Sequence, residues 1–142
     1  MSHVKQLLDL KGGTTFSIAP DAPVREAITL MAQHRIGALL VMDGERLVGV
    51  VSERDYARKV ILQGRSSAQT AVADIMHTEP LTVGPETDVF DCMRICTNSR
   101  VRYLPVVQDN AVIGVISTGD LVKAVIDAQA EQIEHLERYI TS

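Results

Sequence analysis

Short apolar runs alternate with amphipathic stretches along this chain, and the alternation is written twice. Phe16-Ser-Ile18 is a brief extended piece, stopped by Pro20-Asp-Ala-Pro23. Val24, Ala27, Ile28, Met31 and Ala32 recur at the spacing of one helix face, which predicts a helix to about His34, ended by Gly37. Pro23 suits its first position, behind an Asp or Ala cap. Residues 38–42 read as a continuous apolar strand, Asp43-Gly44 as a two-residue hairpin turn and residues 46–52 as the return strand. A second helix starts at Glu53 or Asp55 and carries Tyr56, Val60 and Ile61.

The same order returns from Leu81. Leu81-Thr-Val83 is extended, and Pro85-Glu-Thr87-Asp88 caps a helix through Val89, Met93 and Cys96. Residues 103–107 and 111–117 are strands joined at Gln108-Asp-Asn110, and a helix from Leu121 runs to about Tyr139. Between the halves lie a polar loop at 64–68 and a short helical turn at 72–76. Sliding the sequence by 65 residues (112 − 47) aligns the halves without a gap. Pro20 meets Pro85, Val24 meets Val89, Arg35 meets Arg100, Leu39 meets Leu104 and Val41 meets Val106. Gly49, Val50, Ser52, Asp55 and Val60 meet Gly114, Val115, Ser117, Asp120 and Val125. The match extends backwards, Asp9 of LLDLK meeting Asp74 of VADIM.

Repetition at a fixed period decides the fold. Each half is a β–α–β–β–α unit too small to bury a core alone. The expected fold is therefore α/β, two such repeats packed sheet against sheet about a pseudo-twofold axis. Residues 1–65 read as repeat one, 66–126 as repeat two and 127–142 as a helical tail. In the tail, Ile133, Leu136 and Ile140 make a narrow apolar seam that wants a partner helix, in a dimer or by folding back on its own domain.

Composition narrows the function. With 46% hydrophobic residues, no Trp and two Phe, the core must be aliphatic. A net charge of −4 gives no overall pull toward nucleic acid or an anionic membrane, so basic residues must act locally. No stretch reaches the roughly 20 apolar residues of a bilayer span. MSHVKQLLDL carries no apolar signal core, and the expected setting is the cytoplasm. Cys92 and Cys96 share a helix face, have Ala27 and Met31 as repeat mates, and read as small buried hydrophobes. The four histidines lie in separate segments, so no metal site is expected. Nucleophile-elbow, phosphate-loop and metalloprotease-helix motifs are absent, and Ser52 has no partner His. The chain does not read as an enzyme.

The duplicated feature with chemical content is LVGVVSERD at 47–55, repeated as VIGVISTGD at 112–120. Each is a Gly-bearing strand handing over to a helix through Ser-x-x-Asp. A carboxylate there is held by rigid elements and can accept hydrogen bonds from two vicinal hydroxyls, as an acidic residue does for a nucleotide ribose in other folds. The Ser hydroxyl and the free N–H groups of the helix start suit a phosphate. Helix capping is the plainer use of these residues; recurrence behind the same strand favours a binding site. Clefts between repeats are where small molecules lodge. Arg102 and Arg54 lead as partners for a phosphate, followed by Arg35, Arg100 and Lys59. Lys11 has only its nearness to the Gly12-Gly13 turn to recommend it.

HRIGALLVMD with LVGVVSERD, and SRVRYLPVVQD with VIGVISTGD behind ADIMHTEPLTV, resemble a tandem pair of cystathionine-β-synthase (CBS) domains, a Bateman module, over residues 8–126. Modules similar to this bind adenosine-containing ligands (AMP, ADP, ATP, NAD(H), S-adenosylmethionine) in two clefts and commonly dimerise into a flat disc. The resemblance implies that Asp55 and Asp120 bind ribose hydroxyls and that Ser52 and Ser117 bond sugar or phosphate. It implies an adenine beside Val50 or Val115. Facing the Asp120 corner would be Phe16, Ile36, Gly37 and Ala38; facing the Asp55 corner, Leu81, Val101, Tyr103, Leu104 and Pro105. The repeats differ where Leu40 stands for Pro105, Gly37 for Arg102 and Gly119 for Arg54, so the two sites are expected to differ in affinity or ligand.

The implied function is adenine-nucleotide sensing in signal transduction by a homodimer that reports to a separate regulated protein. The alternative is a ligand-free assembly module acting through the dimer and the C-terminal helix. RNA binding would need more basic charge.

Overall fold

The computed structural model describes residues 3–141. In chain order its elements are α1 (Val4–Lys11), β1 (Ser17–Ile18), α2 (Val24–His34), β2 (Ala38–Asp43), β3 (Arg46–Ser52) and α3 (Glu53–Tyr56). The last runs on through one π turn, Ala57–Ile61. A 3-10 turn at Val72–Asp74 leads to β4 (His77–Thr78), followed by α4 (Val89–Ser99), β5 (Tyr103–Gln108), β6 (Ala111–Ser117) and α5 (Thr118–Thr141).

These elements form two compact units. The first joins the chain up to Gly13 to everything from Thr82 onward; the second is Thr14–Leu81. Their composition differs from the sequence halves 1–65 and 66–126, because the piece leading into each repeat belongs to the other unit. Hydrophobic burial explains the exchange. Val4, Leu7 and Leu8 of α1 complete a core of Val83, Val89, Cys92, Cys96, Leu104, Val106, Ile116 and Leu121. Val72 and Ile75 complete one of Ile18, Val24, Ala27, Met31, Leu39, Val41, Val51 and Val60. Both cores are aliphatic.

The second unit holds a four-stranded sheet in the order β1-β2-β3-β4, with β1 parallel to β2 and the other pairs antiparallel. In the first unit β5 and β6 pair antiparallel, and Val83 bridges Val106 in parallel, as Ile18 pairs with Val41. The hairpins share one register: Ala38 opposes Ser52 as Tyr103 opposes Ser117, and bulges follow Val41 and Val106.

Several local expectations are corrected. α2 starts at Val24 with Pro23 as its cap, and the N–H groups of Val24 and Arg25 donate to the carbonyls of Thr70 and Ser67. It ends at His34 as expected, but the terminator is Arg35, left-handed at φ 54, and not Gly37; Arg100 does the same at φ 55 after α4. The first hairpin turns on Gly44 and Glu45 rather than Asp43 and Gly44, since Asp43 pairs with Arg46. α1 and β4 are additions to the expected elements.

The backward extension of the repeat is corrected too. Val4 N–H donates to Thr87 O in one unit, and Val72 N–H to Ala22 O in the other. Thr87 and Ala22 are 65 apart (87 − 22), but Val4 and Val72 are 68 apart (72 − 4). Asp9 is therefore the counterpart of His77, not of Asp74. Past this point the lead-ins diverge: α1 stays helical to Lys11, whereas its counterpart straightens into β4.

Both lead-ins cross a strand glycine. A Cβ at Gly49 would lie 2.7 Å from Met76 Sδ and 2.8 Å from the His77 carbonyl oxygen; one at Gly114 would lie 2.6 Å from Leu8 Cδ2. Glycine is what lets the segments pack this closely.

Candidate functional site

β3 and β6 each deliver a serine to the first turn of a helix. The Asp55 N–H donates to Ser52 Oγ at 3.2 Å, while the Ser52 N–H and hydroxyl donate to Asp55 Oδ2 at 2.9 and 3.0 Å. In the first unit the Asp120 N–H donates to Ser117 Oγ at 3.1 Å, and the Ser117 N–H to Asp120 Oδ2 at 2.8 Å. The preceding loops are tied in alike, Glu53 N–H to Gly37 O and Thr118 N–H to Arg102 O. Each corner is thus a reciprocal cap, and the cap uses one carboxylate oxygen. Among the described residues Asp120 Oδ1 makes no bond, and Asp55 Oδ1 has only Lys59 Nζ at 3.6 Å. An oxygen left over from capping is what a sugar hydroxyl would need.

A lysine meets each corner. Lys11 Nζ, from the end of α1, lies 2.6 Å from Asp120 Oδ2 and 2.8 Å from the Val115 carbonyl. Lys59 Nζ, from the π turn, lies 3.6 Å from Asp55 Oδ1 and 2.9 Å from the Ile75 carbonyl. The difference follows from the lead-ins. β4 pairs with Gly49 and Val50 on the edge of β3; at the matching edge of β6, α1 stays helical and the Lys11 ammonium takes the Val115 carbonyl. Burial of Asp120 works to raise its pKa, but the Lys11 hydrogen bond and charge, with the Ser117 N–H and hydroxyl, outweigh it and hold the carboxyl below its ordinary value. Beside Asp120, an open groove of about 590 Å3 lies between α1 and α5, flanked by Leu7, Leu10 and Lys11 on one side and by Asp120, Lys123 and Asp127 on the other.

The remaining anticipated residues divide by unit. Phe16, Ile36, Gly37, Ala38, Val50, Arg54 and Leu81 belong with Asp55; Val101, Arg102, Tyr103, Leu104, Pro105, Val115 and Gly119 belong with Asp120. Leu104 is fully buried in the core, so its side chain serves packing, as Leu39 does in the other repeat. Phe16 stacks on His34 with ring centroids 3.9 Å apart, a pairing with no counterpart in repeat two, where Leu81 and Ser99 stand. Arg54 and Arg102 are exposed and make no ion pair among the described residues. The cation that does reach a corner from afar is Lys11, to which its sequence neighbourhood gives almost no signal. Cys92 and Cys96 are buried, and burial first, then the Cys96 sulfur and nearby Asp91 and Asp88, push the Cys92 thiol up to about 11. Among the described residues no His, Cys, Asp and Glu cluster could hold a metal ion, and no helix is long and apolar enough to cross a membrane.

Two βαββα repeats, each ending in the same capped corner, define a class. The CBS domain model matches residues 14–61 and 72–127, and the chain belongs to the CBS domain family. It is 44% identical over 125 residues to the mitochondrial CBS domain-containing protein CBSX3 of Arabidopsis thaliana, a match covering 84% of this chain and 61% of that protein. A protein with CBS domains from Burkholderia ambifaria, of solved structure, is 46% identical, with a TM-score of 0.87 over 90% of this chain and 96% of that one. A CBS domain protein from Pyrobaculum aerophilum, solved in complex with AMP, is 27% identical, with a TM-score of 0.74 over 83% of this chain and 88% of that one.

Proposed function

We propose that this CBS-domain module senses an adenosine-containing ligand (AMP, ADP, ATP or NAD) at the Asp55 and Asp120 corners and has no chemistry of its own. The observation that carries this reading is the duplicated cap, which fixes each aspartate through Oδ2 and leaves Oδ1 for a ribose hydroxyl. The AMP complex of the Pyrobaculum protein supports the ligand class. Val50 and Val115 would carry the base, Ser52 and Ser117 the sugar or phosphate. Bound ligand shifts the packing of the chain, or of its homodimer, by its differential affinity for two arrangements. A separate cytoplasmic protein reads that shift.

A thermal-shift series with AMP, ADP, ATP, NAD and S-adenosylmethionine tests the proposal. A true ligand at 100 times its dissociation constant stabilises by about 2.7 kcal/mol. No shift with any of them would favour the second reading, a ligand-free assembly module. That reading draws on the exposed apolar residues of α5, Ile126, Ile133, Leu136 and Ile140.

A further inference from the structure

We infer that the Asp120 corner selects a nucleoside 5′-monophosphate over both the uncharged nucleoside and the triphosphate, and that Lys11 and Lys123 make the choice. The inference rests on the adenosine reading of Asp120 and adds the residues that set ligand charge.

The groove between α1 and α5, open to solvent along its length, runs past Asp120 and has a volume of about 590 Å3, within the range of small-ligand sites. Two ammonium groups line it next to the carboxylate: Lys11 from α1, and Lys123 three residues along α5. Lys123 makes no ion pair among the described residues, and Lys11 gives its charge to Asp120 Oδ2. A ribose on Asp120 Oδ1 would bring a 5′-phosphate between them. Lys11 then bridges the aspartate and the phosphate, as a three-donor ammonium can.

Further along α5 the sign reverses. Asp127 and Glu131 line the same groove four and eight residues beyond Lys123, about 6 and 12 Å away along the helix. One phosphate fits the positive end; a chain of three would run toward two carboxylates. The apolar walls, Leu7, Leu10 and Ala124, offer nothing to offset that repulsion.

The test is equilibrium binding of adenosine, AMP and metal-free ATP to the full chain carrying Asp55→Ala, so that one corner is read. The expected order is AMP tightest, and Lys11→Gln lowers the AMP-to-adenosine affinity ratio on the order of tenfold. Lys11→Arg keeps most of that ratio, and Lys123→Gln lowers it. Asp127→Asn with Glu131→Gln brings ATP toward AMP. An AMP-to-adenosine ratio unchanged by Lys11→Gln, or ATP binding as tightly as AMP before the acidic pair is changed, overturns the inference while leaving the adenosine site standing. Failure of all three compounds to bind overturns both.

Discussion

In one unit the aspartate corner is met by a lysine 109 residues away in the chain; in the other the lysine stands one turn along the same helix. The frame is otherwise shared: the hairpin register, the bulge, the reciprocal N–H bonds between Ser and Asp and the loop N–H that ties them. Duplication has therefore kept the frame that positions the carboxylate and let the charge around it diverge. The π turn belongs to the same divergence. It occurs after Asp55 and not after Asp120, where α5 continues regularly, and it carries Lys59 to the Ile75 carbonyl. π turns often mark functional positions in helices.

The strand glycines give the largest way to break the comparison. A methyl at Gly49 meets the His77 backbone, which cannot swing aside, whereas at Gly114 it meets the end of the Leu8 side chain. Gly49→Ala is expected to destabilise by about 3 kcal/mol and Gly114→Ala by about 1 kcal/mol, read by chemical denaturation. Equal losses would mean that the lead-ins hold both strands alike.

The aspartates come next. Asp120→Asn keeps one oxygen for the cap but removes the charge, and with it a short, partly exposed ion pair, and should cost about 1 kcal/mol; Asp55→Asn, whose lysine is 3.6 Å away, should cost less, about 0.5 kcal/mol. The pH dependence sharpens the contrast. The Asp120 carboxyl is held below its ordinary value, so its contribution is present above pH ~4 and is lost as pH falls through the depressed folded value. Urea unfolding of Lys11→Met across that acid range should show a shallower loss than wild type.

The smallest effect is one the two units share. Arg35 and Arg100 sit left-handed, a conformation that disfavours a side chain, so replacing either with glycine should stabilise by about 0.5 kcal/mol in thermal melts.

Much of this molecule was legible in its sequence because the relevant patterns are short. The short apolar strand runs, the α2 and α4 faces and the Ser-x-x-Asp corners each lie within a dozen residues. Three features were not. The Lys11–Asp120 contact joins distant segments, and no local spacing announces it. The lead-ins match by hydrogen bonds at an offset of 68 rather than by identity at 65, so an ungapped shift pairs the wrong residues. Arg35 ends α2 in a conformation for which Gly37, two residues on, was the obvious candidate.

The most direct measurement is calorimetric titration of AMP into wild type, Asp55→Ala, Asp120→Ala and the double variant, each first shown to be folded by circular dichroism. The expected result is one binding event lost with each aspartate and none left in the double variant. Undiminished AMP binding in the double variant would contradict the claim that these two carboxylates hold the ligand.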